Sequence, residues 1–350
     1  MDLLITIIVL ALLFDYINGF HDAANAIATI VSTKVLTPLQ AVIWSTCFNF
    51  MAFFIAKYLI GDFGIANTVS KTVHEQYITL PIILSGVIAA VIWNLWTWWK
   101  GIPSSSSHTL IGGFAGAAIT AYGFRAIQSI VILKIVLFIF LAPIIGMLVA
   151  FIFTLIVFNL CRKAHPHTAE KWFKRLQLFS SALFSIGHGL NDSQKVMGII
   201  AAALIAAHSQ GIGMGVNNIA DLPNWVAFSC FTAISLGTMS GGWKIVRTMG
   251  NRITKVTPLE GVIAETAGAF TLYFTEYLKI PVSTTHTISG AIIGVGATRR
   301  LSAVRWGITR SLITAWTLTI PISAILAATI YSLISLINLI LLKYQYYLIK

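Results

Sequence analysis

Charge is scarce in this chain of 350 residues: Asp, Glu, Lys and Arg make up 10% of it, where a soluble domain carries about 25%. Together with 57% hydrophobic residues and a mean hydropathy of +0.85, that shortage excludes an ordinary soluble enzyme and points to a polytopic membrane protein. Cysteine is nearly absent. Cys47, Cys161 and Cys230 are scattered, with neither metal-ligand spacing nor a disulfide framework, so thiol chemistry and a fixed structural metal site are not expected. No Gly-x-Ser-x-Gly elbow accompanies the serines that stand beside histidine, which argues against a membrane-embedded hydrolase. Acidic residues are few, 11 against 23 basic ones, leaving a net charge of +12. In a soluble protein that excess would suggest nucleic acid; in an apolar chain it is the positive-inside signal, and no nucleic-acid partner is expected. No basic stretch precedes the first apolar run, which carries Asp2, so it is expected to be a span rather than a signal peptide. Neither a low-complexity tail nor a soluble accessory domain is visible.

Apolar runs near the roughly 20 residues needed to span a bilayer recur throughout. They cover residues 3–31 (interrupted by a polar patch), 41–60, 80–99, 127–160, 182–207, 225–239, 262–278 and 312–342, the last reading as one long helix or two. Basic residues cluster at Arg162, Lys163, Lys171, Lys174 and Arg175, at Lys244, Arg247, Arg252 and Lys255, and at Arg299, Arg300, Arg305 and Arg310. Placing all three clusters in the cytoplasm requires an odd number of crossings per half, taken as five, and leaves both termini outside. The expected divisions are a first repeat over 1–160, a cytoplasmic connecting loop over 161–177 and a second repeat over 178–350. An odd number inverts the second half relative to the first, the plan of many secondary transporters, whose sites lie at the midplane between repeats. Trp93, Trp96, Trp98 and Trp99 read as interfacial anchors in lipid.

Two phrases carry the repeat. Ile-Pro-Ser-Ser-Ser-Ser-His-Thr at residues 102–109 returns as Ile-Pro-Val-Ser-Thr-Thr-His-Thr at 280–287. Asn-Gly-Phe-His-Asp-Ala-Ala-Asn at 18–25 returns as His-Gly-Leu-Asn-Asp-Ser-Gln-Lys at 188–195. Aligning Gly19 with Gly189 sets Asp22 on Asp192, His21 on Asn191 and Asn25 on Lys195. Polar sequence at membrane depth is tolerated only where it is buried in protein or lines a cavity.

A carboxylate in the membrane costs from about 2.5 kcal/mol upward, so Asp22 and Asp192 are expected either to bind a cation or to carry a proton. Asn25 and Asn191 offer neutral oxygens to sodium or amide donors to an oxyanion. Gly19, Gly187 and Gly189 beside them are expected to break the signature helices. After Pro103 and Pro281, Ser105, Ser106, Ser107, Ser283, Thr284 and Thr285 open new helices, whose free N–H groups and positive dipole end suit an anion. Thr109 and Thr287 add hydroxyls, and Gly112, Gly113, Gly116, Gly290 and Gly294 permit close packing of the returning arm. Two such N-termini facing each other from inverted halves would grip a tetrahedral oxyanion.

These four motifs, in register over essentially the whole chain, resemble the paired signatures of the inorganic phosphate transporter family. The resemblance implies an all-α fold of two inverted repeats, each with a broken signature helix and a re-entrant Pro-Ser-His hairpin. It implies symport of inorganic phosphate with protons or sodium, no enzymatic activity or cofactor, and a homodimer in the cell membrane, a bacterial inner membrane. On this reading Asp22, Asn25, Asn191 and Asp192 map to the coupling-ion and substrate region, and the hairpin hydroxyls hold phosphate. His21 and Lys195 match the bacterial branch, whose members include proton-coupled carriers of metal–phosphate complexes.

Lys195 is expected either to pair with Asp192 or to contact phosphate, and in both cases to disfavour sodium in its half. His108 and His286 either lock the hairpins through hydrogen bonds or carry protons, as His21 and His188 could in the signature helices. Glu265 completes an ion site or is structural; its counterpart in the first half is Val87. Asp15 caps, gates or ligates. The rival readings are a symporter of sulfate or another tetrahedral oxyanion and, more remotely, an anion channel, against which acidic residues at both signature sites argue.

Overall fold

The computed structural model describes residues 1–212, 215–251 and 253–349; Arg252 of the second basic cluster lies outside the described residues. The described chain forms twelve α-helices. The first half holds α1 (Asp2–Ser32), α2 (Pro38–Ile55), α3 (Gly64–Ser70), α4 (Leu80–Lys100), α5 (Ser106–Tyr122) and α6 (Ser129–Leu160). The second holds α7 (Pro166–Ser209), α8 (Asn224–Ser240), α9 (Trp243–Asn251), α10 (Pro258–Tyr277), α11 (Thr284–Arg299) and α12 (Trp306–Ile349). Each half therefore runs signature helix, long helix, short helix, hairpin and final long helix, the architecture of an inverted repeat.

Proline sets the start of several helices, where its missing N–H has no intrahelical partner to lose. It stands in the first two positions of α2, α4, α7 and α10. Thr37 with Gln40 and Thr257 with Glu260 form capping boxes that close two of these N-termini. Helix α7 begins at Pro166, so the expected connecting loop over 161–177 is helical from that residue onward, and only about the first five residues connect the halves. The last apolar run is one helix, with Pro321 inside it as Pro143 is inside α6.

The expected breaks in the signature helices do not occur. Helices α1 and α7 run continuously through Gly19 and through Gly187 and Gly189. Close approach explains the glycines instead. A Cβ on Gly19 would lie 3.0 Å from the Cα of Gly237, where α1 crosses α8, and one on Gly189 would lie 2.6 Å from the carbonyl oxygen of Asn49 on α2. Backbone meets backbone at both crossings.

The hairpins are present: α4 turns into α5, and α10 into α11. Their returning arms pack on the final helix of the opposite half, α5 along α12 and α11 along α6. A Cβ on Gly116 would lie 2.7 Å from the carbonyl carbon of Ala324, and one on Gly290 2.7 Å from that of Pro143. The small residues thus serve contacts between halves as well as within a hairpin. The short helices also cross over. Helix α3 packs on α7 and α9 on α1. Thr68 of α3 donates to the carbonyl of Lys279 at 2.7 Å, and Thr248 of α9 to the carbonyl of Gly101 at 3.5 Å. Lys279 and Gly101 hold the same left-handed turn at the end of α10 and α4, with φ of 57° and 68°. On the α3 side an exposed ion pair joins Asp62 to Lys279, and the hydrogen bond that Lys279 donates to Asp62, then the carboxylate charge, raises the lysine pKa above the ordinary range.

Among the described residues five helices, α1, α2, α4, α6 and α12, are long and apolar enough to cross a membrane on length and composition. The outward faces of α6 and α12 carry exposed Ile, Leu and Phe along their length, including Leu133, Phe140, Ile325 and Leu336. This is a multi-pass membrane protein.

Candidate functional site

Helices α5 and α11 begin at equivalent points of the two Pro-Ser-His phrases. Ser105 and Ser283 are their N-caps, each accepting from the backbone N–H of the following histidine, His108 at 3.2 Å and His286 at 3.3 Å. Thr109 and Thr287 donate back to the carbonyls of Ser105 and Ser283 at 2.8 and 2.9 Å. These four hydroxyls are engaged in building the tips. The side chains that project from the tips toward α1 and α7 are Ser106 and Ser107 on one, and Thr284 and Thr285 on the other.

The signature helices meet these tips directly. Thr284 Oγ1 stands 3.1 Å from Asp192 Oδ2 and 3.4 Å from Asp22 Oδ2, so one hydroxyl bridges the carboxylates of both halves. Ser106 donates to Asp22 Oδ1 at 3.4 Å. Asn25 Nδ2 donates to Thr284 and Thr285 at 3.2 and 2.9 Å. Lys195 Nζ donates to Ser107 Oγ at 2.6 Å, Asp192 Oδ1 at 2.5 Å and the Val282 carbonyl at 2.5 Å. Asn25 and Lys195, aligned by the repeat, thus grasp aligned hydroxyls, Thr285 and Ser107, from opposite sides. All these groups are at most 4% exposed.

The histidines divide into two pairs. His21 Nδ1 lies 2.8 Å from Asp22 Oδ1, and its Nε2 lies 3.1 Å from Thr97 Oγ1 on α4. His188 Nε2 lies 3.2 Å from Asp192 Oδ2, and its Nδ1 lies 3.1 Å from Asn49 Oδ1, whose amide donates to Thr238. Both thus orient a site carboxylate. His108 and His286 instead contact each other edge to face, with ring centroids 4.9 Å apart, and His286 stacks on Trp316. Among the described residues the His286 ring has no hydrogen-bond partner, so the two histidines meet by ring packing, while Thr285 donates across to the Ser104 carbonyl at 3.4 Å and bonds the two hairpin tips.

Glu265 lies apart, in a polar cage on α10. It accepts from Thr29 at 2.6 Å, Gln177 at 3.0 Å and Ser180 at 2.5 Å, which ties α1, α7 and α10 together. Asp15 is buried in the interior of α1, which rules out a capping role. Thr97, Asn49, Thr29, Gln177 and Ser180 were not singled out in the sequence, because each stands outside the four repeated motifs.

Chemically the site joins two carboxylates, one ammonium, several neutral hydroxyls and two helix N-termini. The carboxylates and hydroxyls suit cations, and the hydroxyls and helix ends suit an oxyanion. Among the described residues Asn191 on α7 is fully buried with both amide atoms unpartnered, and Asn25 Oδ1 is likewise unpartnered, as expected of groups kept for a ligand. Asp22, His188 and Asp192 each offer one atom, all within 4.8 Å of one another, so a cation fits this donor set although no metal-ligand spacing marks it in the sequence.

A sequence profile described as "Phosphate transporter family" matches residues 18–168 and again 159–327. The chain belongs to the phosphate transporter family. Each of its two profile matches falls mainly within one structural half. The chain is 47% identical over 330 residues to a "Probable low-affinity inorganic phosphate transporter" of Rhizobium meliloti (strain 1021), covering 94% of this chain and 96% of the relative. It is 44% identical over 339 residues to a protein of the same description from Bacillus subtilis (strain 168), covering 96% and 98%. A solved structure titled "The sodium-dependent phosphate transporter" superposes with a TM-score of 0.83 at 26% identity, covering 96% of this chain and all of that one. Members of this family are transporters, and the chain is not an enzyme.

Proposed function

We propose that the chain carries inorganic phosphate across the membrane by alternating access, together with a coupling cation, a proton or sodium. The observation that carries this reading is the convergence of Asp22 and Asp192 with Ser106, Ser107, Thr284 and Thr285 in one buried cluster between inverted halves. Phosphate fits the hydroxyls and the N-termini of α5 and α11; the cation fits the carboxylates. Without a cation the substrate would add its charge to two carboxylates in a low-dielectric site, which is prohibitively costly. A divalent metal carried with phosphate fits the cluster of Asp22, His188 and Asp192 as cargo. Glu265 is a further coupling-ion candidate.

The reading extends to orientation and assembly. The basic residues on the connection between halves face the cytoplasm and both termini lie outside, in a bacterial inner membrane. The apolar faces of α6 and α12 offer lipid and a second copy their contact surface.

Radiolabelled phosphate uptake into proteoliposomes tests this, with sodium, proton and magnesium gradients imposed one at a time and unlabelled sulfate as competitor. Uptake driven by one gradient and resistant to sulfate is expected. No uptake under any gradient, or displacement by sulfate at equal concentration, overturns it.

A further inference from the structure

We infer that Lys195 is a resident cation: its ammonium holds the coordination position that the second half would otherwise have to fill with a cation taken from solution. The inference rests on the phosphate-symport reading of the same site. It concerns which charges travel and which stay.

The geometry of the ammonium is the first ground. A lysine ammonium has three N–H donors and no acceptor. At Lys195 three oxygens from three different segments receive them, Asp192 Oδ1 on α7, Ser107 Oγ at one hairpin tip and the Val282 carbonyl at the other, at 2.5 to 2.6 Å. A carboxylate, a hydroxyl and a backbone carbonyl are the oxygens that would surround a small monovalent cation, and here they surround nitrogen. With all three donors engaged, none is left to grip a phosphate oxygen. Lys195 therefore acts on the charge of the site rather than as a substrate ligand.

The repeat supplies the second ground. The equivalent position in the first half is Asn25, a neutral amide that donates to Thr285 as Lys195 donates to Ser107. Among the described residues Asp22 has no lysine partner: its contacts are His21, Ser106, Thr284 and Thr285. One carboxylate is thus neutralised by a tethered charge, and the other depends on what binds. A site with amides at both positions would need a mobile cation for each carboxylate, so the chain moves one cation fewer per phosphate than such a site. The ammonium also reaches both hairpin tips, so the charge it supplies holds them together whether or not substrate is bound.

The test uses the full chain, purified in detergent and reconstituted in proteoliposomes, as wild type, Lys195→Asn, Lys195→Gln and Lys195→Arg. Sodium chloride is titrated against the unfolding temperature, with choline chloride at matched ionic strength as control. The amide variants are expected to gain a sodium-specific stabilisation, a rise of about 2 °C at sodium near ten times its dissociation constant, beyond any shown by the wild type. In proteoliposomes their phosphate uptake becomes more sodium-dependent than that of the wild type, and one more charge moves per phosphate. Lys195→Arg, whatever its rate, keeps the sodium response of the wild type.

Amide variants that fold and show the wild-type sodium response in both measurements overturn the inference. So does a rise in the KM for phosphate with no change in sodium response, which would mark Lys195 as a substrate ligand. If neither amide variant folds, Lys195→Arg decides: an unaltered sodium response supports a resident charge, and a gained one overturns it. A wild type that moves no phosphate under any gradient refutes the symport reading, and the unfolding temperatures still test the resident cation on their own.

Discussion

Replacing Asp192 by asparagine separates the structural demand of the buried ion pair from its role in transport. Asp192 and Lys195 are 0% and 2% exposed and joined at 2.5 Å, so Asp192→Asn strands an ammonium beside a hydroxyl and a carbonyl. Removing one partner of such a pair typically costs about 3–5 kcal/mol, most of it the penalty of the unpaired charge. For a chain of this size that corresponds to a fall of roughly 4–7 °C in unfolding temperature. The double variant Asp192→Asn/Lys195→Met removes both charges and leaves nothing stranded. It is expected to lie within about 3 °C of the wild type, which is a coupling energy of about 2 kcal/mol or more. Thermal unfolding in detergent, in choline medium at one scan rate, measures all four members of the cycle, including Lys195→Met. Uptake of labelled phosphate should be absent in both variants that lack Asp192. If the double variant loses as much as the two single variants added together, the pair is not coupled and the argument fails.

Asp22→Asn should abolish uptake while leaving membrane insertion intact, since Asp22 has no lysine partner and meets hydroxyls from both tips; near-normal uptake would refute its place in the site. Thr284→Ala should raise the KM for phosphate about tenfold or more, the effect of losing one hydrogen bond to a charged group, in initial-rate uptake assays. Thr109→Val should leave that KM within about twofold, because its hydroxyl already serves the Ser105 carbonyl. Gly237→Val should lower the unfolding temperature by the equivalent of about 1–3 kcal/mol or more, since an added Cβ meets the backbone of α1.

The repeat made much of this arrangement legible in the sequence. Duplicated motifs in register require two related halves, and the alignment of Asn25 with Lys195 anticipates two side chains that grasp equivalent hydroxyls from opposite sides. Glycine was ambiguous: beside Asp22 and Asp192 the same residue permits either a helix break or a backbone crossing, and only the neighbours Gly237 and Asn49 decide for the crossing. Serine and threonine are ambiguous in the same way. Ser105 and Ser283 look like donors to an anion, yet as N-caps they accept from their own helices. Glu265 stood alone because Thr29, Gln177 and Ser180 come from other helices, and no spacing along the chain reveals a cage assembled from three. The reach of α5 to α12 and of α11 to α6 was hidden for a related reason, since an apolar helix face does not name its partner.

That last exchange bears on how the protein is made. A chain emerges from its first residue to its last, and domains generally acquire their structure in that order. Helix α5 carries Ser106 and Ser107 at its tip, but the surface that receives it belongs to α12, the final helix. The surface that seats the first hairpin is therefore synthesised last, after the rest of the second half, while α6 is made before α11. The two hairpins thus differ in chain order even though the architecture is nearly symmetric: the surface that seats the second precedes it in the chain, and the surface that seats the first follows it. A chain that stops short of α12 would hold every signature residue and still lack the surface that seats one hairpin, so the site comes into being with the last helix.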